Sequence, residues 1–245
     1  MRRIYSSLPQ SGAPGKLELR ERIPTMTDAT LILGNKAYSS WSLRGWLMCK
    51  IARLEFQEEV HDMGADDWKA WIAARSPSGK VPCLLIDGAT IWESLAIGEH
   101  LAERNPAAFY PADPAARAHA RAIAAEMHAG FVELRKAMWM NVRRSFPGKR
   151  RTPAALADIA RIDRIWSETR ARFGAGGPYL FGAQFGLADA MYAPVAARFR
   201  TWAPELSAAA QSYADAVWQH PWMREWVAAA AAEPWVVARY EDPDI

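Results

Sequence analysis

Cysteine is almost missing from this chain: 245 residues hold two, Cys49 and Cys83. Two cannot build a disulfide framework and no CxxC pair occurs, so the expected setting is reduced and cytoplasmic. Long apolar runs are missing too. None approaches the roughly 20 uninterrupted residues of a membrane span, which argues against a membrane partner. Charge of one sign is scarce: the formal balance is +3, and no global field points to nucleic acid. The five histidines show neither HxxxH nor HxH spacing, so no metal site is indicated. Gly174-Ala-Gly-Gly-Pro178 lacks a strand before it and reads as a helix-ending turn, not a dinucleotide loop.

What is present divides into unlike parts. Residues 1–28 are rich in Arg, Ser, Pro and Gly and lack the apolar centre of a secretory signal. They read as a disordered tail, or as a misassigned extension ahead of a true start at Met26. Residues 29–105 mix periods. Thr30–Gly34 is a short apolar strand, Ser42–Arg53 recurs at helical spacing, and Phe56–His61 alternates like a strand. Asp66–Arg75 opens with carboxylates, as a helix N-terminus prefers. Val81–Ile86 and Thr90–Trp92 flank Asp87-Gly88, a strong hairpin turn, and Glu93–Arg104 closes the unit as a helix. The order predicts a small α/β layer with one hairpin.

Residues 106–113 lie in a proline-rich stretch, Asn105–Pro114, that predicts an extended linker. From 114 to 245 the pattern is all helical. One long helix is expected over Pro114–Asn141, then Thr152–Phe173, Gly186–Phe199, and shorter pieces near Ser207–Gln219 and Pro221–Glu233. Prolines at or near the first turn suit several of these starts.

Three short motifs in the α/β part carry candidate chemistry. Tyr38-Ser39-Ser40-Trp41-Ser42-Leu43-Arg44 sits where the first strand passes into the first helix. A serine there caps the helix by accepting from an orphan N–H. Aimed outward, its hydroxyl can instead donate to a thiolate that the helix N-terminus also favours. In Ser78-Gly79-Lys80-Val81-Pro82, a cis proline before the strand would turn the Val81 backbone toward a ligand peptide. Trp92-Glu93-Ser94-Leu95 opens a helix, where serine and carboxylate serve as caps or as an anion site with Glu93 beside it for an ammonium group. Taken singly, each motif is better explained by capping or turn formation; the three together are another matter.

In that order and spacing the motifs resemble the thioredoxin-like domain of soluble glutathione transferases. FYPADPAARA and PYLFGAQFGLADAMYAPV resemble the same superfamily's interdomain linker and all-helical C-terminal domain. The resemblance runs from about residue 30 to about 235 and is nearest the serine-type zeta- and tau-like classes. It implies glutathione as co-substrate, with the Val81 backbone, held by cis-Pro82, pairing with its cysteinyl unit. Glu93 and Ser94 would hold the γ-glutamyl end, and Lys80 would reach the glycyl carboxylate. Ser39 occupies the place of the hydroxyl that faces the sulfur, with Ser40 as the alternative. Trp41, Met138, Met140 and Arg143 are implied as walls of the electrophile pocket. Homodimers are implied as well.

Two departures stand out. Trp41 replaces the cysteine of the zeta-like pattern, which weakens the case for isomerase chemistry on maleyl-type diketo acids. Gly186-Leu-Ala-Asp189 has glycine where the superfamily usually keeps a Ser or Thr cap, a change that costs only a few tenths of a kcal/mol. Arg143–Arg151 carries five cations in nine residues and is expected to be a solvated loop. The expected function is activation of the glutathione thiol for attack on a small electrophile. The alternative is a non-catalytic scaffold of the same fold.

Overall fold

The computed structural model describes residues 29–244; the tail at 1–28, where a disordered or misassigned extension was expected, lies outside them. The first part contains β1 (Ala29–Gly34), α1 (Ser40–Ile51), β2 (Gln57–His61), α2 (Trp68–Ala73), β3 (Cys83–Ile86), β4 (Ala89–Trp92) and α3 (Ser94–Arg104). Its sheet runs β2-β1-β3-β4, with β1 parallel to β2 and antiparallel to β3, which pairs antiparallel with β4. Alternation along β1 sends Leu31 and Leu33 into the core shared with α1 and α3, and Ile32 to the opposite face with Ile72 of α2. This is a thioredoxin-like layer.

Beyond it follow α4 (Pro106–Phe109), α5 (Pro114–Ala129), α6 (Val132–Ala137), α7 (Pro153–Phe173), α8 (Leu187–Trp202), α9 (Ala208–Gln219) and α10 (Pro221–Ala232). Among the described residues no helix is long and apolar enough to cross a membrane. Two sequence expectations change here. The linker is not wholly extended: Pro106 begins a single helical turn, as proline at a first helical position permits. The helix expected over Pro114–Asn141 breaks at Gly130-Phe131, because Phe131 adopts a left-handed backbone with φ 58°. The Arg135 guanidinium fills the break by donating to the Gly130 carbonyl. The apolar periodicity runs through this point, so the interruption was hidden.

The central helix α8 joins the two parts. Arg44 of α1 donates through Nε to the Met191 carbonyl at 2.8 Å, and Trp46 packs on Trp226 of α10 with ring centroids 5.4 Å apart. At the head of α8, Asp189 accepts from the Gly186 N–H (2.9 Å), the Leu180 N–H (3.1 Å) and the Tyr213 hydroxyl (3.0 Å). The glycine cap has a steric reason: a Cβ at Gly186 would lie 2.8 Å from the Phe109 carbonyl oxygen.

The cationic segment Arg143–Arg151 is a loop with Arg144, Lys149 and Arg151 exposed, as expected, and it also latches onto the C-terminal part of the chain. Arg143 donates to the carbonyls of Ala230, Glu233 and Trp235. Arg144 pairs with Glu241 at 2.5 Å, Lys149 with Asp244, and Arg150 donates to the Pro243 carbonyl. Glu241 and Asp244 of the acidic C-terminal stretch are the counter-charges of Arg144 and Lys149.

One titration follows from the fold. At the start of α10, His220 Nδ1 accepts from the Trp222 N–H at 3.2 Å while the ring packs on Phe185 at 4.3 Å. Burial pushes its pKa down to about 4, so the folded ring stays neutral and keeps its acceptor. The folded value lies below an unfolded value of about 6.5. This contribution to stability is therefore complete above pH 6.5 and is lost as pH falls toward 4. His220→Asn is expected to remove that acid-side loss, read as the denaturant midpoint at a series of pH values.

Candidate functional site

The site assembles at the N-terminal end of α1. Two serines there have different partners. Ser39 is the N-cap: its Oγ accepts from the Ser42 N–H at 3.2 Å and donates to Ser42 Oγ at 2.8 Å. Ser42 Oγ in turn accepts from the Gly34 N–H at 3.0 Å, tying helix to strand. Ser40 Oγ accepts from Arg198 Nη2 at 3.2 Å, which leaves the Ser40 proton free to donate.

The Val81–Pro82 peptide is cis, and Pro82 abuts α1: a Cβ on Gly45 would lie 2.7 Å from Pro82 Cβ. Glu93 holds an unusual backbone, with φ 71°, immediately before α3. Its carboxylate lies 3.6 Å from His128 Nε2 and is half exposed. Ser94 is fully buried at the head of α3, and its Oγ has no hydrogen-bond partner among the described residues. A buried hydroxyl left unpaired costs about 1–3 kcal/mol, which a bound polar group would offset.

Two cavities adjoin at these residues. The smaller, about 200 Å³, is lined by Ser78, Lys80, Pro82, Glu93 and His128. The larger, about 400 Å³, holds Ser39, Ser40, Met140 and Arg198 on its walls. Trp41, Lys80 and Val81 line both, so the indole stands at the partition. The larger cavity is walled further by Tyr38, Trp68, Trp139 and Tyr240, and no carboxylate appears among its lining residues.

The electrostatics favour an anion. Arg44 and Arg135 lie over the Trp41 ring at 4.5 and 5.5 Å, and Arg198 lies behind Ser40. None of the three makes an ion pair with a carboxylate among the described residues. Burial lowers the pKa of each, to about 9 for Arg198, and their mutual repulsion adds to the effect on Arg44 and Arg198. At neutral pH Arg198 therefore remains a cation. Burial also lowers the pKa of His128, against the pull of Glu93.

Tyr38 is not a free hydroxyl: it donates to Glu241 at 2.5 Å, and burial with this bond raises its pKa to about 12. Burial pushes the Cys49 and Cys83 thiols up, so neither offers a thiolate.

The structure thus brings together Ser39, Ser40, Trp41, Lys80, Val81, Pro82, Glu93 and Met140. It does not bring in Met138 or Arg143, expected on the pocket wall, and Ser94, fully buried beside Glu93, lines neither cavity. Met138 is fully buried and only its carbonyl matters, accepting from Arg198 Nε at 2.9 Å. Arg143 points into the latch. Sequence reasoning missed Arg135, Arg198 and Tyr240. Arg198 did leave a signal, since it shares the buried face of α8 with Met191, Val195 and Trp202.

A thioredoxin-like layer joined to an all-helical domain, with a hydroxyl-bearing helix N-terminus in the cleft between them, defines the class of fold. Two family models match: the glutathione S-transferase N-terminal domain over residues 38–104 and its C-terminal domain over residues 114–229. The chain belongs to the glutathione transferase superfamily. A curated relative, a probable maleylacetoacetate isomerase of Caenorhabditis elegans, is 36% identical over 96 residues, spanning 39% of this chain and 44% of the relative. A Burkholderia glutathione transferase homolog solved with bound glutathione superposes with a TM-score of 0.64 at 22% identity, covering 84% of this chain and all of that one. The tau class enzyme of mango, Mangifera indica, gives 0.62 at 17% identity over 82% and 92% of the two chains.

Proposed function

We propose that this chain binds glutathione along the two adjoining cavities and ionises its cysteinyl thiol for attack on a small electrophile. The carrying observation is the meeting of two serine hydroxyls, a helix N-terminus and unpaired guanidiniums around a cavity without a carboxylate. In this reading the Val81 backbone pairs with the cysteinyl unit. Glu93, on the wall of the smaller cavity, and Ser94, buried next to it at the head of α3, hold the γ-glutamyl end, and the exposed Lys80 meets the glycyl carboxylate. The sulfur then lies at the head of α1, facing Ser39 and Ser40.

A free cysteinyl thiol titrates near about 8.5. Lowering that by about two units takes roughly 2.7 kcal/mol of preferential stabilisation of the anion. A hydroxyl donor, the α1 N-terminus and nearby cations are of the right size to supply it. The thiol proton leaves to solvent. The thiolate's electron pair forms a C–S bond at an electrophilic carbon, and the leaving group departs with the electrons of the bond that breaks. With a conjugated cis double bond the thiolate adds, the carbon–carbon bond rotates, and the same thiolate leaves.

The second route is supported by the isomerase relative. Trp41, in place of the cysteine of the zeta-like pattern, supports the first. Incubation with glutathione and two probes, an activated aryl halide and a cis-enedione carboxylic acid, separates them. Release of halide identifies conjugation, and appearance of the trans isomer without loss of glutathione identifies isomerisation. Inertness toward both probes and toward a broader electrophile panel contradicts the reading and returns the chain to the scaffold alternative. A homodimer belongs to the same proposal, and light scattering of the purified protein reports its mass.

A further inference from the structure

The cation behind Ser40 lies outside every motif that pointed to the site. We infer that Arg198 is a positioning residue for thiol activation: its guanidinium holds and polarises Ser40, whose free proton is then the one presented to the sulfur. This rests on the proposed glutathione chemistry and adds to it a choice between the two serines and a role for α8.

The geometry is specific. Arg198 is 4% exposed and every nitrogen of its guanidinium is engaged. Nε donates to the Met138 carbonyl at 2.9 Å, Nη1 to the Pro194 carbonyl at 3.3 Å, and Nη2 to Ser40 Oγ at 3.2 Å. Two backbone carbonyls, one from its own helix and one from the segment after α6, fix the plane of the group. The third contact fixes the hydroxyl. An Oγ that accepts from a cation has its own O–H polarised, and donation along such a chain strengthens the next bond.

Ser39 differs in kind. Its oxygen accepts from a backbone N–H and its proton already goes to Ser42 Oγ. Donating to a ligand would require Ser39 to give up that bond, whereas Ser40 has nothing to give up. The other charged or titratable groups around Arg198 and the cavity are Arg44 of α1, Arg135 of α6, Lys80 before β3, and Tyr38 and Tyr240. All the cations among them act on a thiolate in the same direction. None but Arg198 reaches a serine hydroxyl.

The test is the pKa of the bound thiol, read from the ultraviolet absorbance of the thiolate between pH 5.5 and 8.5 at saturating glutathione. It is measured on the full chain and on Arg198→Met, Arg198→Lys, Ser40→Ala and Ser39→Ala. Arg198→Met is expected to raise the thiol pKa by about one unit, lowering turnover at pH 6.5 about fivefold while glutathione affinity falls no more than about twofold. Arg198→Lys restores part of the shift. Ser40→Ala gives a shift like that of Arg198→Met, the double variant goes no further, and Ser39→Ala moves the pKa less than Ser40→Ala does. Should Arg198→Met fail to fold, Ser40→Ala and Arg198→Lys carry the comparison. An unchanged thiol pKa in Ser40→Ala, or a shift confined to Ser39→Ala, overturns the assignment while leaving glutathione activation standing. Failure of the unaltered protein to bind glutathione overturns both.

Discussion

Asp189→Ala is expected to destabilise the protein by about 3–5 kcal/mol, since buried donors that lose their acceptor cost about 1–3 kcal/mol each. Three donors converge on that carboxylate, from Gly186, Leu180 and Tyr213, and water cannot replace it at 1% exposure. Asp189→Asn keeps the oxygen that serves Leu180 and Tyr213 but turns an amide toward the Gly186 N–H, so its loss is smaller. Denaturant midpoints for the two variants check the order. A loss within about 0.5 kcal/mol for alanine, the range of an ordinary surface change, would contradict the reading.

The same carboxylate makes a pH prediction. Burial raises its folded pKa to about 6 despite the three donors. A carboxyl raised above its unfolded value of about 3.9 contributes stability that is complete below that value. The contribution is lost as pH rises through about 6. His220 acts in the opposite sense over nearly the same window. The unaltered protein should therefore show a shallow profile between pH 4 and 6. Asp189→Asn should grow more stable as pH rises there, and His220→Asn less stable. A profile unchanged in both variants would contradict the two assignments.

The second large effect falls on ligand affinity. Glu93→Gln is expected to weaken glutathione binding about ten- to a hundredfold, the loss of one charge-assisted bond worth about 1.5–3 kcal/mol. Glu93 is half exposed, sits beside His128, and is set by a backbone φ of 71° that aims it into the smaller cavity. Calorimetry gives the affinity. Because Glu93 lies at the far end of the ligand from the sulfur in this account, the bound thiol's pKa should stay in place. A variant that bound normally would remove Glu93 from the site.

Much of this was legible in the sequence. The short apolar run before the Ser-rich turn, the Asp87-Gly88 hairpin and most of the proline-led helices carry their structure in local chemistry, and apart from the helix broken at Gly130 the observed elements match them to within a few residues. The motifs holding Ser39, Ser40, Val81 and Glu93 were visible for the same reason. What local chemistry does not record is contact across the chain. The break at Phe131 depends on a guanidinium four residues on, and the apolar spacing runs straight through it. The clustered cations read as a solvated loop, and what local pattern hides is that two of them, Arg144 and Lys149, meet carboxylates about a hundred residues away, near the C-terminus. The resemblance implies Met138 on the pocket wall, whereas its side chain is buried and its carbonyl accepts from Arg198. Arg198 is the clearest instance. A lone arginine on the buried face of an apolar helix announces a fixed partner, and only the packing of α8 on α1 names it as Ser40.

The central claim is that the cleft binds glutathione and ionises its thiol. It is tested most directly by calorimetric titration of the protein with glutathione, repeated in buffers of different ionisation enthalpy from pH 5.5 to 8.5. The account predicts saturable binding with release of about 0.7 proton per site near pH 7, falling away toward pH 5.5 as the bound thiol keeps its proton. Binding without proton release across the range, or no binding at millimolar glutathione, would contradict it.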